Sequence, residues 1–279
     1  MDALYNAAKP RVVAIGGPTA TGKTALSVAL AKRFGGEIIS ADSMQIYQGL
    51  DVGTAKVTPE EMQGVPHHLV GFLAPEQAFS VADFTTLAGK TITQLTAQGK
   101  LPLVVGGTGL YITSLLNGIG FTPEKVDPAI RQELQARLQA EGSQALYAEL
   151  AAVDPGYAAK VHPNNTPRVI RALELYRATG RKMSAEREAA RPAEKPYRSL
   201  CLCLTCRDRT LLYQRIDTRC DRMMQSGILE EAKLVYDHRD TYRTAAQAIG
   251  YKEFFPYFEG TAAALRTSSR LPAIMPSVS

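Results

Sequence analysis

The chain has 279 residues, of which 45% are hydrophobic and 21% are charged. This composition excludes a disordered chain and is typical of a folded protein with one large domain or a core plus a second lobe. The formal net charge is +5, from 32 basic and 27 acidic residues. Residues 168–222 contain fourteen basic and seven acidic residues, which favours an anionic partner there, although a solvated helical face would give the same count.

The sequence lacks a membrane-spanning pattern and an export signal, so we expect a cytoplasmic protein that does not contact a membrane. We also expect it to be a monomer. Three of the four cysteines lie within residues 201–206, without a second cluster or a nearby histidine. We interpret this segment as a buried strand rather than as a zinc site, and we expect the thiols to be reduced. The adjacent His67 and His68 are interpreted as part of a turn.

Apolar runs alternate with helical patterns in the N-terminal part of the chain. Strands are predicted at residues 11–15, 37–40 and 101–105, and helices at 24–34 and 82–98. This alternation predicts the α/β class, with a parallel sheet that is flanked by helices and joined by right-handed crossovers. The ligands of such sheets bind beyond the carboxyl ends of the strands.

The pattern changes after residue 118, where helices are predicted within 129–150 and over 168–179. A strand at 200–204 would return the chain to the first sheet. The predicted organisation has four segments: a first part of the core (1–118), an all-helical insertion (119–198), a second part of the core (199–260) and a tail (261–279). We expect the tail to be atypical and to lack regular structure.

Residues 17–24 match the phosphate-loop pattern G-x-x-x-x-G-K-[ST] in full, after a predicted strand and at the start of a predicted helix. Backbone N–H groups of such a loop attract phosphate oxygens, the lysine adds positive charge, and the hydroxyl of Thr24 could reach Mg²⁺. A glycine-rich turn with an incidental lysine is the alternative. The predicted diphosphate site comprises Gly17, Pro18, Thr19, Ala20, Thr21, Gly22, Lys23 and Thr24.

The loop indicates phosphate binding, but not nucleotide hydrolysis. Nucleotide hydrolases usually have a strand that ends in an acidic metal ligand, whereas the strand at 101–105 is followed by glycines and Thr108. Asp42, just after the second strand, would lie on the same sheet edge as the loop. It is a candidate general base or metal ligand, and a helix N-cap or Asx turn would explain it equally well.

Several segments together resemble the tRNA dimethylallyltransferase (tRNA isopentenyltransferase) family, and the resemblance extends over roughly residues 10 to 260. It implies a core like that of P-loop NTPases with an all-helical, tRNA-binding insertion domain. The implied reaction transfers a dimethylallyl group from dimethylallyl diphosphate to N6 of the adenosine 3′ to the anticodon, with Mg²⁺ as cofactor. The matching segments besides 17–24 are SADSMQIY (40–47), DVGTAK (51–56), VPHHL (65–69), VGGTGLY (105–111), RVIRALE (168–174), LYQRI (212–216) with Arg219, and AIGYKE (248–253).

The resemblance also implies roles for individual residues. Asp42 matches the family's catalytic base, Thr19 matches a loop threonine that positions the diphosphate, and Arg215 matches an arginine that reaches the diphosphate or the RNA. Pro167 departs from the glutamine or arginine that is usual in the family. The residues that match RNA-contacting positions are Asp42, Ser43, Met44, Gln45, Thr108, Arg131, Pro167, Arg168, Val169, Ile170 and Arg171.

Two other functions are compatible with the sequence. The chain could be a P-loop kinase that phosphorylates a small molecule with ATP, in which case the helical insertion would be an arginine-bearing lid. It could also be a non-enzymatic RNA-binding switch controlled by a nucleotide. The missing acid after the strand at 101–105 and the position of Asp42 favour prenyl transfer over both.

Overall fold

The computed structural model describes residues 9–121, 127–190, 192 and 194–261. The chain divides into two compact units, Met1–Leu116 with Pro196–Ser279 and Asn117–Lys195, whereas the sequence placed the divisions at 118/119 and 198/199. The predicted tail lies outside the described residues beyond Thr261. No helix in the described ranges is long and apolar enough to cross a membrane.

A parallel sheet forms the centre of the larger unit, as the α/β prediction requires. Five strands are present among the described residues, in the order β3-β2-β4-β1-β5. Every neighbouring pair is parallel, with Gly16 beside Gly106 and Ser40 beside Val105. The strands are β1 (Arg11–Gly16), β2 (Gly36–Ser40), β3 (His67–His68), β4 (Leu101–Gly106) and β5 (Arg198–Cys203).

Helices cover both faces of this sheet, which explains why its central strands are apolar at consecutive positions. On one face, Ala14 and Val104 belong to a cluster with Phe84 and Tyr111; on the other, Ile15 and Leu103 pack in a second cluster. The helices of the N-terminal part are α1 (Lys23–Phe34), α2 (Pro59–Met62), α3 (Val81–Ala97) and α4 (Gly109–Leu116).

Two expectations about strands are wrong. The segment with three cysteines does form β5, but Leu200 is 57% exposed and Cys201 and Cys203 are exposed as well. The reason is position: β5 is the last strand of the sheet and hydrogen-bonds only to β1 among the described strands. His67 and His68 form a short strand rather than a turn, because their backbone pairs with Ile38 and Ile39 of β2.

The smaller unit is entirely helical in its described part. Its helices pack around a core that includes Leu134, Leu146, Leu150 and Leu173. The predicted break after Glu141 is confirmed, because one helix ends there and the next begins two residues later. The helices are α5 (Pro128–Glu141), α6 (Ser143–Val153), α7 (Pro155–Ala158), α8 (Thr166–Thr179) and α9 (Met183–Ala189).

The last part of the larger unit is also helical and packs on the segment that follows β2. The buried cluster at this contact includes Tyr47, Leu50, Ala232, Tyr251 and Phe254. The elements are α10 (Arg209–Gln225), α11 (Ile228–Asp237), two short 3-10 turns (Ala245–Gln247 and Lys252–Phe254) and α12 (Phe255–Phe258).

Candidate active site

Three strand ends bring the candidate residues to one edge of the sheet. The phosphate-loop residues follow β1, Asp42 follows β2, and β4 lies between these two strands. All three strands are parallel, so their carboxyl ends point in the same direction. The structure therefore places Asp42 on the same edge as residues 17–24, where ligands of parallel sheets bind.

The residues between β1 and α1 form a tight, lysine-closed loop. The Lys23 ammonium donates to the carbonyl oxygens of Gly17 over 2.9 Å and Pro18 over 2.6 Å, and the Thr21 hydroxyl donates to the Pro18 carbonyl over 2.8 Å. Gly22 precedes α1 with φ of 88°, a left-handed conformation that favours glycine. Lys23 and the first N–H groups of α1 thus meet at one place, as a phosphate site requires.

A glycine at the end of β4 allows the neighbouring strand end to approach closely. A Cβ atom on Gly106 would overlap the backbone of Ala41. The Ala41 N–H donates to the Val105 carbonyl over 2.8 Å, and the Ala41 carbonyl accepts from the Thr108 N–H over 3.1 Å. The residue before Asp42 is therefore fixed by backbone contacts to β4 and the loop after it.

The carboxylate of Asp42 forms the Asx turn that was one of the alternatives left open by the sequence. Its Oδ1 atom accepts from the backbone N–H groups of Met44 over 2.9 Å and Gln45 over 3.2 Å, which is an Asx-type turn. Its Oδ2 atom accepts no hydrogen bond from the described residues. One oxygen thus anchors the turn, while the other has no hydrogen-bond donor among the described residues.

Thr108 connects the turn after β2 to the turn after β4. The Ser43 N–H donates to the Thr108 hydroxyl over 3.1 Å, and that hydroxyl lies 3.4 Å from the Ser43 hydroxyl. Gln45 is also held, because its side-chain amide donates to the carbonyls of Thr54 over 3.3 Å and Ala55 over 3.0 Å. Met44 is half-buried against the cluster that contains Tyr47. These contacts fix the segment that presents Asp42.

The arginine that reaches the loop is Arg219 of α10. Its guanidinium donates to the Thr19 hydroxyl over 2.9 Å. Arg215, which the resemblance assigns to the diphosphate or the RNA, lies one turn earlier in α10. It is exposed and has no hydrogen bond or ion pair with the described residues. The spacing of four residues had put both arginines on one helix face, but it could not indicate which of them contacts the loop.

Lys23, Asp42 and Arg219 influence one another electrostatically. Burial lowers the pKa of the Lys23 ammonium; the Asp42 carboxylate opposes this shift, and Arg219 adds to it. Burial likewise lowers the pKa of the Arg219 guanidinium, again opposed by Asp42. Burial and the nearby Tyr47 and Asp42 raise the pKa of Tyr111 to about 12. Two cations and one carboxylate therefore lie at this edge of the sheet, so their net charge is positive. Such a site suits a ligand that carries more negative charge than a single carboxylate.

The donor atoms suit a metal that arrives with the ligand. No group of three or more His, Cys, Asp or Glu side chains within the described residues could hold an ion alone. The exposed Thr24, second residue of α1, and Asp42 supply oxygen donors at the loop edge. Mg²⁺ is commonly bound by one or two such oxygens together with substrate phosphates, so this set fits Mg²⁺ with a diphosphate.

A buried carboxylate in the helical unit holds two of the predicted RNA-contacting arginines. Glu174 is 2% exposed and forms a two-pronged ion pair with Arg131, while Arg171 donates to it over 3.3 Å. The hydrogen bond to Glu174 raises the pKa of Arg131. Both guanidinium groups remain about half exposed, so they can also face a ligand.

The remaining predicted RNA contacts of the helical unit fall into two groups. Pro167 and Arg168 are exposed at the start of α8, whereas Val169 and Ile170 are buried in the core of the unit. The prediction that residues 167–171 contact RNA therefore cannot extend to the Val169 side chain, which is 1% exposed. An open depression of about 530 Å³ lies here, lined by Arg131, Gln135, Ala136, Leu138, Gln139, Thr166, Pro167 and Ile170.

The loop of residues 17–24 lies at the edge of a parallel sheet, with a carboxylate and a half-buried arginine beside it. This arrangement is typical of α/β proteins that bind phosphorylated ligands. Two family models match the chain. The model described as IPP transferase matches residues 45–272, and the model described as isopentenyl transferase matches residues 10–70.

Curated relatives and solved structures agree with these models. The tRNA dimethylallyltransferase of Bacillus subtilis (strain 168) is 50% identical over 255 residues, which are 91% of this chain and 81% of that protein. The structure of the full-length tRNA isopentenylpyrophosphate transferase from Bacillus halodurans is 45% identical, with a TM-score of 0.62, over 91% of this chain and 79% of that one. A eukaryotic dimethylallyltransferase, described as acting on tRNA, has a TM-score of 0.72 at 32% identity, over 90% of this chain and 64% of that one. The chain belongs to the IPP transferase family, and the resemblance noted from its motifs is confirmed.

Proposed function

We propose that this protein transfers a dimethylallyl group from dimethylallyl diphosphate to N6 of the adenosine 3′-adjacent to the anticodon of tRNA and releases diphosphate. Two relatives, 50% and 48% identical to this chain, carry the name of the enzyme for this reaction. The observation that carries the proposal is the shared sheet edge of the Lys23 loop and Asp42. A small-molecule kinase is not favoured by these comparisons.

The loop binds the leaving group in this proposal. As the allylic C–O bond breaks, negative charge grows on the diphosphate, and the N–H groups of residues 17–24, the Lys23 ammonium and the Arg219 guanidinium stabilise it. Thr19 accepts from Arg219 over 2.9 Å and thereby links the arginine to the loop. Thr24 would hold Mg²⁺ together with the diphosphate, and the ion would supply further positive charge there.

Asp42 accepts the proton that the amine must lose. Adenine N6 is a weak nucleophile, and as its bond to the allylic carbon forms it becomes cationic and releases a proton. The Oδ2 atom of Asp42 receives this proton, while Oδ1 keeps its bonds to Met44 and Gln45. The carboxylate can therefore act as a base without releasing the turn that positions it.

The target adenine must leave its stack to reach this edge. Enzymes that modify a base take it out of the stack and replace the lost contacts with hydrogen bonds and apolar packing in a pocket. Four residues around Asp42 are proposed to receive the base: Ser43, Met44, Gln45 and Thr108. In the helical unit, Arg131, Arg168 and Arg171 are proposed to bind tRNA phosphates, which fixes register without reading sequence.

The test is a reaction of the protein with dimethylallyl diphosphate, Mg²⁺ and unmodified tRNA, followed by mass analysis of the nucleosides. We expect one prenylated adenosine per tRNA and one diphosphate released for each. A tRNA with guanosine in place of the target adenosine is the matched substrate control and should give no product. Phosphoryl transfer from ATP to a small molecule, without prenylated adenosine, would contradict the proposal.

A further inference from the structure

A single carboxylate at the start of α11 binds three consecutive backbone N–H groups. Glu231 Oε2 accepts from Asp51 over 2.7 Å and from Val52 over 2.9 Å, and Oε1 accepts from Gly53 over 2.7 Å. The hydroxyl of Tyr251 donates to Oε1 over 2.7 Å. Four donors on one carboxylate make a charge-assisted anchor between α11 and the loop of residues 51–56.

Close packing around the anchor restricts which residues could occupy its positions. A Cβ atom on Gly53 would lie 2.5 Å from Cε1 of Tyr251, so the loop approaches this buried ring only with glycine there. Burial and the neighbouring Glu231 raise the pKa of Tyr251, which keeps its hydroxyl protonated as a donor. The carboxylate is therefore held in one position relative to residues 51–53.

The anchored loop in turn holds the segment that carries Asp42. The carbonyls of Thr54 and Ala55 accept from the Gln45 side chain over 3.3 and 3.0 Å. The N–H of Gln45 donates to Asp42 Oδ1 over 3.2 Å. A continuous series of hydrogen bonds thus runs from Glu231 through the 51–56 loop and Gln45 to Asp42.

We propose that Glu231 is a positioning residue for the reaction: it sets the 51–56 loop, and through Gln45 it sets the segment around Asp42 that receives the acceptor base. The inference deepens the proposed function and rests on it. Glu231 lies outside the loop of residues 17–24, so its influence should fall on the acceptor and not on diphosphate binding. A displacement of reacting groups by about 1 Å is enough for a large loss of rate.

The experiment measures steady-state kinetics for Glu231→Gln, Gln45→Ala and the double variant. An amide in place of the carboxylate presents a donor to groups that are themselves donors, so part of the anchor is lost. We expect kcat/KM for tRNA to fall about tenfold with Glu231→Gln, and affinity for inorganic diphosphate to stay within about twofold. Because both changes interrupt one series of contacts, the double variant should be no worse than the more impaired single variant.

Glu230→Gln is the matched control, because Glu230 is in the same turn of α11 but does not bond to the loop, and it should retain the wild-type rate. Losses that multiply in the double variant, or an unchanged rate for Glu231→Gln, would overturn the inference. If Glu231→Gln does not fold, Tyr251→Phe removes one of the four donors and should lower kcat/KM for tRNA alone; a normal value would reject the proposal. Absence of prenylated adenosine with the wild-type protein would instead reject the proposed function.

Discussion

Arg219 donates a hydrogen bond to the hydroxyl of Thr19 over 2.9 Å and so joins α10 to the phosphate loop. The two residues are 200 positions apart in the chain. Asp42 acts electrostatically on Arg219 and on Lys23, so the three charged groups form one local system. Because a half-buried guanidinium is costly to leave without an anion, an anionic ligand at the loop would be stabilised by it.

The first prediction compares two arginines on the same helix. We expect Arg219→Ala to lower kcat/KM for dimethylallyl diphosphate roughly 10- to 100-fold, because a charge beside the leaving group is removed. Arg215→Ala, at an exposed position without a hydrogen bond or ion pair to the described residues, should change kcat/KM less than about threefold. Steady-state kinetics with dimethylallyl diphosphate as the varied substrate measures both. Equal losses would show that α10 presents a different face to the donor.

The second prediction separates the structural and chemical roles of Asp42. In Asp42→Asn, the amide oxygen can still accept from Met44 and Gln45, so the turn should persist. The base is lost, and we expect turnover to fall about 10²- to 10⁴-fold. Affinity for inorganic diphosphate should be unchanged or tighter, because a negative charge near Lys23 is removed. A variant whose single-turnover rate stayed above a tenth of the wild-type rate would exclude Asp42 as the base.

The third prediction concerns proton uptake when diphosphate binds. Burial lowers the pKa of Lys23 in the free protein, whereas a bound diphosphate favours the ammonium and raises that pKa again. Between the lowered pKa and the ordinary value of about 10.4, binding should therefore take up a proton, and affinity should fall as pH rises. Titration calorimetry in two buffers of different ionisation enthalpy measures the uptake. Lys23→Met should abolish this component at every pH; an identical uptake in that variant would assign the proton to another group.

The fourth prediction concerns the stability of the helical unit. Arg131→Ala leaves the buried Glu174 with Arg171 as its ion-pair partner among the described residues. We expect a loss of about 1–3 kcal/mol in the free energy of unfolding. Arg168→Ala, on the exposed start of α8, should change stability by less than about 0.5 kcal/mol. Urea denaturation of both variants tests this. Equal stabilities would mean that Arg131 adds nothing to the pairing of Glu174.

Local patterns were sufficient to predict the phosphate loop and the place of Asp42. The loop pattern specifies both residue types and their spacing, and the parallel arrangement puts the ends of β1 and β2 on one edge whatever the details of packing. The boundaries of α1, α3 and β4 differ from the predicted ones by one residue at each end or less.

Features that depend on distant contacts could not be predicted in this way. The sequence of β5 resembles a buried strand, but its exposure follows from its place at the end of the sheet. Whether Arg215 or Arg219 contacts the phosphate loop depends on how α10 packs against that loop, 200 positions away. Glu231 meets Gly53 across 178 positions. In the sequence it is only one of two adjacent glutamates near a helix start, so no local signal distinguishes it.

The missing side chain of Gly106 has a practical consequence for genetic screens of this protein. Any larger residue there would overlap the backbone of Ala41 and push the end of β2 away from β4. Because Asp42 follows β2, it would then lie farther from the loop of residues 17–24. Such a variant would show the kinetic defects of a damaged catalytic group although every reacting atom was intact. Loss of function at Gly106 should thus be attributed to altered spacing before any chemical role is assigned to it.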